Sequence, residues 1–118
     1  MEQIYIADPS QQSIQDIYAI YLEAAQEWPE WTHMQKYAGI ALFEQGQYTA
    51  AEYYLLRAHT QDEADYQTVY YLGAVDFYQN DYENSMSYFN RALELGADEE
   101  VQSDIIWYVT EMNGEGSR

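Results

Sequence analysis

Tyr37-Ala38-Gly39-Ile40-Ala41-Leu42-Phe43-Glu44-Gln45-Gly46-Gln47-Tyr48 is followed 34 positions later by Tyr71-Leu72-Gly73-Ala74-Val75-Asp76-Phe77-Tyr78-Gln79-Asn80-Asp81-Tyr82. The shift lays Tyr37 over Tyr71, Gly39 over Gly73, Phe43 over Phe77, Gln45 over Gln79 and Tyr48 over Tyr82. It continues beyond the stretch, with Tyr54 over Tyr88, Arg57 over Arg91 and Ala58 over Ala92. A fixed period of this length marks stacked copies of one supersecondary unit. Within each copy, Gln45-Gly46-Gln47 and Gln79-Asn80-Asp81 set a residue able to enter the left-handed conformation between two apolar runs. Each unit is therefore expected to be a hairpin of two antiparallel helices. No alternating Val-rich segment, Asn-Gly hairpin between strands or Gly-rich βα turn interrupts the pattern.

The same phase extends to both sides. Asp8-Pro9-Ser10-Gln11 reads as a helix start, with Asp8 as cap, Pro9 at the first helical position and Gln11 in the capping-box place. Ile14, Ile17, Tyr18, Tyr21, Ala25 and Trp28 then recur every three or four residues and predict an apolar face to bury, on a helix ending before Pro29. Tyr21 and Ala24 fall under Leu55 and Ala58 at the shift of 34, so residues 9–28 take the place of a second helix whose own first helix is missing. At the other end, Asp98 is expected to cap a helix over 99–112, closed by Asn113-Gly114 in register with Gln45-Gly46. Asp65 is expected to cap the helix that begins at Tyr66, and the acids before it favour that helix's positive end.

The 118 residues suit one domain. Four Lys and Arg stand against 21 Asp and Glu, a net charge of −17, which repels a nucleic-acid backbone and argues against direct DNA or RNA binding. The chain is 47% hydrophobic and 17% aromatic, with fourteen Tyr, which is enough apolar material for a core and argues against disorder. With no Cys, disulfides, thiolate metal sites and Cys nucleophiles are excluded. The Met1-Glu2-Gln3 start lacks a basic export segment and no long apolar run follows, so a cytoplasmic location away from membranes is expected.

At these residues the chain resembles the tetratricopeptide-repeat family, whose 34-residue unit puts small residues where two helices touch. Unit one, 32–65, supplies Ala38-Gly39, Leu42, Gly46, Tyr48, Ala51, Leu55 and Ala58. Unit two, 66–99, supplies Leu72-Gly73, Tyr82, Ser85, Phe89 and Ala92. The resemblance implies an all-α, right-handed superhelix of helix hairpins with about six helices. Its parts are a half-repeat helix over 9–28, two repeats, a capping helix over 99–112 and a frayed tail over 113–118. Asp76 departs from the pattern, which wants a large apolar residue there, and Phe77 is expected to turn inward in its stead.

The resemblance also implies a concave groove lined by the first helix of each unit. Carried over position by position, it selects His33, Lys36, Tyr37, Ile40 and Phe43 from unit one. Unit two adds Gln67, Tyr70, Tyr71, Ala74, Phe77 and Tyr78. The capping helix adds Val101, Asp104, Ile105, Tyr108 and Met112. Ala38, Gly39, Leu42, Leu55, Leu72, Val75, Phe89 and Ala92 already fill a core, so the aromatic stripe is read as a binding surface. Coverage of the stripe by Ile4-Tyr5-Ile6 or by a second copy remains the competing reading. Many relatives grip a terminal carboxylate with several basic residues, whereas Lys36 stands alone here.

Catalysis finds little support. His33 and His59 lie in different helices and form no ligand pair, and Asp62-Glu63-Ala64-Asp65 lacks the phosphate loop a helicase motif would need. Both His are expected to face solvent. No enzyme activity, metal or cofactor is expected. The reading is an adaptor or chaperone that holds a peptide with apolar anchors and net positive charge, as a monomer or weak homodimer. The alternative is an acidic inhibitor that mimics nucleic acid on a basic protein, which needs a regular carboxylate row, whereas Glu44, Glu52, Asp76, Asp81 and Glu83 scatter across helices and turns.

Overall fold

The computed structural model describes residues 9–114. Among them run six helices and no strand: α1 Pro9–Glu27, α2 Thr32–Glu44, α3 Tyr48–Gln61, α4 Tyr66–Tyr78, α5 Tyr82–Glu94 and α6 Glu99–Met112. The expected cap at Asp8, the Gln11 side chain, the Ile4-Tyr5-Ile6 segment and the tail from Glu115 onward lie outside the described residues.

The hairpin turns follow from single residues at the repeat period. Gly46, Asn80 and Gly114 have φ of +78°, +66° and +81°, so equivalent places in three successive units are left-handed. Each of the first two turns closes the preceding helix with two bonds. The Gln47 N–H donates to the Leu42 carbonyl at 2.9 Å and Gly46 to Phe43 at 3.0 Å; Asp81 donates to Asp76 at 2.8 Å and Asn80 to Phe77 at 3.1 Å. Helix starts use carboxylates. Asp65 accepts from the Gln67 N–H, Asp81 from the Asn84 N–H and Asp98 from the Val101 N–H, satisfying donors that have no partner within the helix.

Within a hairpin the helices meet at glycine. A Cβ on Gly39 would lie 2.6 Å from Leu55 Cγ, and one on Gly73 would lie 2.7 Å from Phe89 Cδ1, so each glycine admits a bulky neighbour from the facing helix. The Ser85 hydroxyl donates to the Gly73 carbonyl at 2.7 Å inside this contact. Two apolar clusters result. Leu42, Ala51, Leu55, Leu72 and Val75 join α2, α3 and α4. Val69, Tyr70, Ala74, Phe89, Ala92, Ala97, Val101, Ile105 and Tyr108 join α4, α5 and α6. The expected core residues Ala38, Gly39, Leu42, Leu55, Leu72, Val75, Phe89 and Ala92 are all buried.

Two expectations fail on packing. The α1 stripe is not buried as a whole: Ile14, Ile17 and Trp28 are exposed, and only Ala25 of that set is fully enclosed. No helix among the described residues stands where the first helix of that unit would cover the stripe. Instead α1 is held to α2 by Gln35, fully buried, whose Nε2 donates to the Ala25 carbonyl at 2.9 Å. The second failure concerns Asp76, which Phe77 does not replace. Asp76 occupies the place of Leu42 one period on and is itself buried, while Phe77 stays half-exposed.

Burial, with Glu52 and Asp81 nearby, raises the Asp76 carboxyl to about 6. A group whose folded pKa lies above its unfolded value favours the fold when protonated, so this contribution is full below about pH 4 and is lost as pH rises through about 6. Asp76→Asn is therefore expected to melt higher than wild type at pH 7, by roughly 4 °C, the shift that ~1 kcal/mol produces in a domain of this size. The gap should narrow as pH falls from 7 towards 5. A gap that is constant with pH would remove Asp76 as its source.

Candidate partner-binding face

Helices α2, α4 and α6 are the first helices of successive units and touch one another in that order, making one continuous face. The sequence assigned sixteen groove positions to it, and the structure divides them. Tyr70, Ala74, Ile105 and Tyr108 are 7%, 0%, 3% and 7% exposed and belong to the core, as does Val101. The reason is position: 70 and 74 face the neighbouring first helix, and α6 drives Ile105 and Tyr108 between α4 and α5. The Tyr108 ring stacks on Phe89 at 5.2 Å between centroids. These side chains support the groove and are not offered by it.

Open aromatics remain at the edge of the face. Phe43 sets its ring 5.5 Å from Tyr71 and 5.9 Å from Tyr78, and Tyr78 stacks on Tyr48 at 4.9 Å with planes 4° apart. Phe77 lies 4.9 Å from Tyr108 and 6.0 Å from Trp107, and stacks on Tyr82 at 5.7 Å. Tyr78, Tyr82 and Trp107 are exposed, so the row presents aromatic surface to solvent from α2 to α6. Ile40 and Met112 are half-buried beside the two cores. Tyr37 departs from the row: its ring pairs with Tyr21 of α1 at 5.3 Å, which places it under the half-repeat helix.

The charge of this face is negative. Tyr71, half-buried in the middle, has its hydroxyl pKa raised by burial first and then by the charges of Glu44, Asp104 and Glu100, so carboxylates of both α2 and α6 act on it. Tyr18 donates to Glu44 Oε1 at 2.6 Å and is itself raised to about 12 by that bond, and Tyr70 donates to Asp104 Oδ2 at 3.1 Å. The two phenols hold these acids in place. Lys36 does not offset them. Its Nζ lies 2.7 Å from Asp65 Oδ2, with both side chains largely covered. Burial alone would raise the Asp65 carboxyl, but hydrogen bonds from Lys36 and from the Thr68 hydroxyl outweigh it and hold it below the usual range. Lys36 is thus a tie between α2 and the start of α4.

Of the remaining assigned residues, His33 is exposed 6.1 Å from the Tyr37 ring and Gln67 is half-buried behind the Asp65 cap. His59 does not face solvent as expected: it is half-buried on α3, edge-on to Tyr88 at 6.4 Å. Among the described residues no group of His, Asp or Glu is placed to hold a metal ion, and no helix is long and apolar enough to cross a membrane. The sequence reading missed Tyr48, Tyr82 and Trp107. The first two sit at the same place in consecutive units, a recurrence that was legible, whereas Trp107 falls one period after Gly39 and Gly73, where the repeat calls for a helix contact and not an exposed ring.

The helix order and turns match a known architecture. The first tetratricopeptide-repeat domain of Spaghetti (RPAP3), solved bound to the HSP90 peptide SRMEEVD, superposes with a TM-score of 0.74. The chain has a tetratricopeptide-repeat fold. The match covers 88% of this chain and 83% of that one at 16% identity, so the likeness is one of backbone architecture. No family model and no curated protein matches the sequence. In tetratricopeptide-repeat terms α2 and α4 are first helices, α3 and α5 are second helices, and among the described residues α1 is a second helix without its first and α6 a first helix without its second.

Proposed function

We propose that this tetratricopeptide-repeat domain is a non-enzymatic adaptor or chaperone, holding a segment of a partner protein against the face of α2, α4 and α6. The segment carries aromatic or aliphatic anchors flanked by Lys or Arg. One observation carries the reading: Glu44, Asp104 and Glu100 each act electrostatically on the Tyr71 hydroxyl, while Lys36 is already paired with Asp65. Aromatic rings give large contact area at small entropic cost, and cations over such rings gain further attraction. The peptide SRMEEVD bound by the Spaghetti domain carries acids near its end. The same peptide would meet three carboxylates and no free lysine at Tyr71, so a basic segment is the better match in charge.

Fluorescence anisotropy with labelled synthetic peptides tests this. A peptide alternating Lys or Arg with Leu and Phe is expected to bind, and SRMEEVD is not. Tyr71→Ala and Tyr78→Ala should each weaken the basic peptide by about 5- to 30-fold, the range of a moderate hot spot. Glu44→Gln with Glu100→Gln should mainly slow association and flatten its salt dependence. Tighter binding of SRMEEVD than of the basic peptide would overturn the proposal. If removing acids elsewhere, such as Asp62 and Glu83, mattered more than removing the tyrosines, the protein would instead act by imitating a nucleic-acid backbone.

A further inference from the structure

Helix α6 exposes a second surface, whose identity follows from the repeat period. In α2, Gln35, Ala38, Gly39 and Leu42 share a face and all four are buried, with Gly39 against Leu55 of α3. One period on, Val69, Leu72, Gly73 and Asp76 share a face and all four are buried too, with Gly73 against Phe89 of α5. A further period gives Ser103, Ile106, Trp107 and Thr110. Among the described residues no helix packs on this third face. Ile106 is 66% exposed and Trp107 51%, the two most apolar positions of the helix turned outward. Removing apolar side chains of this size from water is favourable, so the face suits a covering element.

Three occupants have the right shape, and the residues discriminate among them. A further repeat helix of the usual kind does not fit, because bulky side chains stand where α2 and α4 offer Gly39 and Gly73: Ile106 when counted from the helix starts at Tyr66 and Glu99, Trp107 at the shift of 34. At those glycines a single Cβ already comes within 2.6–2.7 Å of Leu55 or Phe89 on the facing helix. A second copy would offer α1, the second helix without a first. Its residue at the Leu55 place is Tyr21, which would set ring against ring at Trp107. It would also bring Asp16, Glu23 and Glu27 towards Glu99, Glu100 and Glu111, with no Lys, Arg or His on α1 or α6. Like charges at that range oppose association.

We propose that the Ser103–Thr110 face of α6 docks an amphipathic, basic helix of a partner protein, in the position that α3 holds on α2 and α5 holds on α4. The docked helix presents a small residue opposite Trp107, an apolar residue beside Ile106, and Lys or Arg towards Glu99, Glu100 and Glu111. This surface adjoins the Tyr71 groove, whose edge includes Trp107 and Glu100, and the Tyr71→Ala variant tells the two apart.

The test uses the full chain with Trp28→Phe and Trp31→Phe, which leaves Trp107 as the sole tryptophan. The probe is a synthetic 16-residue amphipathic helix with Ala and Leu on one face and Lys on the other. The Trp107 emission is expected to shift to the blue on titration, saturably and with an affinity that falls as salt rises. Ile106→Ser should weaken the probe at least tenfold, followed by anisotropy of a labelled probe, while Tyr71→Ala leaves it unchanged. A scrambled probe of the same charge but no apolar face should give no shift. Equal response to both probes, or no shift with either, overturns the proposal. So does a concentration-dependent dimer abolished by Ile106→Ser, which would assign the face to a second copy. A red shift of Trp107 on deleting residues 1–8 would assign it to the chain's own N-terminal segment and overturn it equally.

Discussion

Replacing Phe89 with Ala is expected to destabilise the fold by about 3–5 kcal/mol, the largest single effect in the molecule. The ring is fully buried on α5 and is the residue that joins three helices. It lies against Gly73 of α4, stacks on Tyr108 of α6 at 5.2 Å and meets Tyr70 at 6.0 Å. Its removal forfeits the transfer energy of the ring and leaves a cavity whose walls come from different helices, so no single rotamer change can fill it. Because α6 is held mainly through Tyr108, Ile105 and Val101, the loss should appear first as release of that helix. Urea unfolding read by far-UV circular dichroism measures the loss, and amide exchange locates it. A loss below about 1 kcal/mol would mean that α6 is not held by this ring.

Leucine at Gly73 is expected to cost about 1–3 kcal/mol through overpacking at the same contact from the opposite side. A Cβ there meets two ring carbons of Phe89 at 2.7 Å, and the rigid ring is enclosed on all sides. Gly39→Leu should cost less within the same range. Its nearest neighbours are Cγ and Cδ2 of Leu55, the end of a side chain with more rotamer freedom, although the Leu55 backbone nitrogen at 3.2 Å limits the adjustment. The decisive measurement is the double variant. With Phe89→Ala in place, the added leucine at 73 enters the vacated space, so the combined loss should fall short of the sum of the two single losses. Strict additivity would separate the two residues and contradict the close approach of α4 and α5.

Much of the architecture was legible because it rests on local rules. A 34-residue recurrence, left-handed residues at Gly46 and Asn80, and carboxylate caps at Asp65 and Asp98 each act within a few residues of where they stand. Every helix foreseen is present, and small residues at 38, 39, 51 and 58 do mark helix contacts. The candidate site was legible only in outline. The period places side chains on a face of a helix, but burial of that face depends on which neighbour arrives. Tyr70 and Tyr71 are adjacent and chemically identical, yet one is 7% exposed in the core and the other stands half-open, its hydroxyl acted on by three carboxylates. Lys36 looked like the one cation of a groove, and only the approach of α4 revealed its ion pair with Asp65.

By itself, then, the sequence determined the helix hairpins, their turns, their caps and the acidic, aromatic character of the inner face, since backbone conformation, period and composition need no distant partner. The tertiary structure alone decided which aromatics became core and which became surface. It also buried Asp76 beside Glu52 and Asp81, and left Ile106 and Trp107 uncovered. These outcomes turn on contacts between helices far apart in the chain, where a close-packed interior admits one side chain and excludes its neighbour.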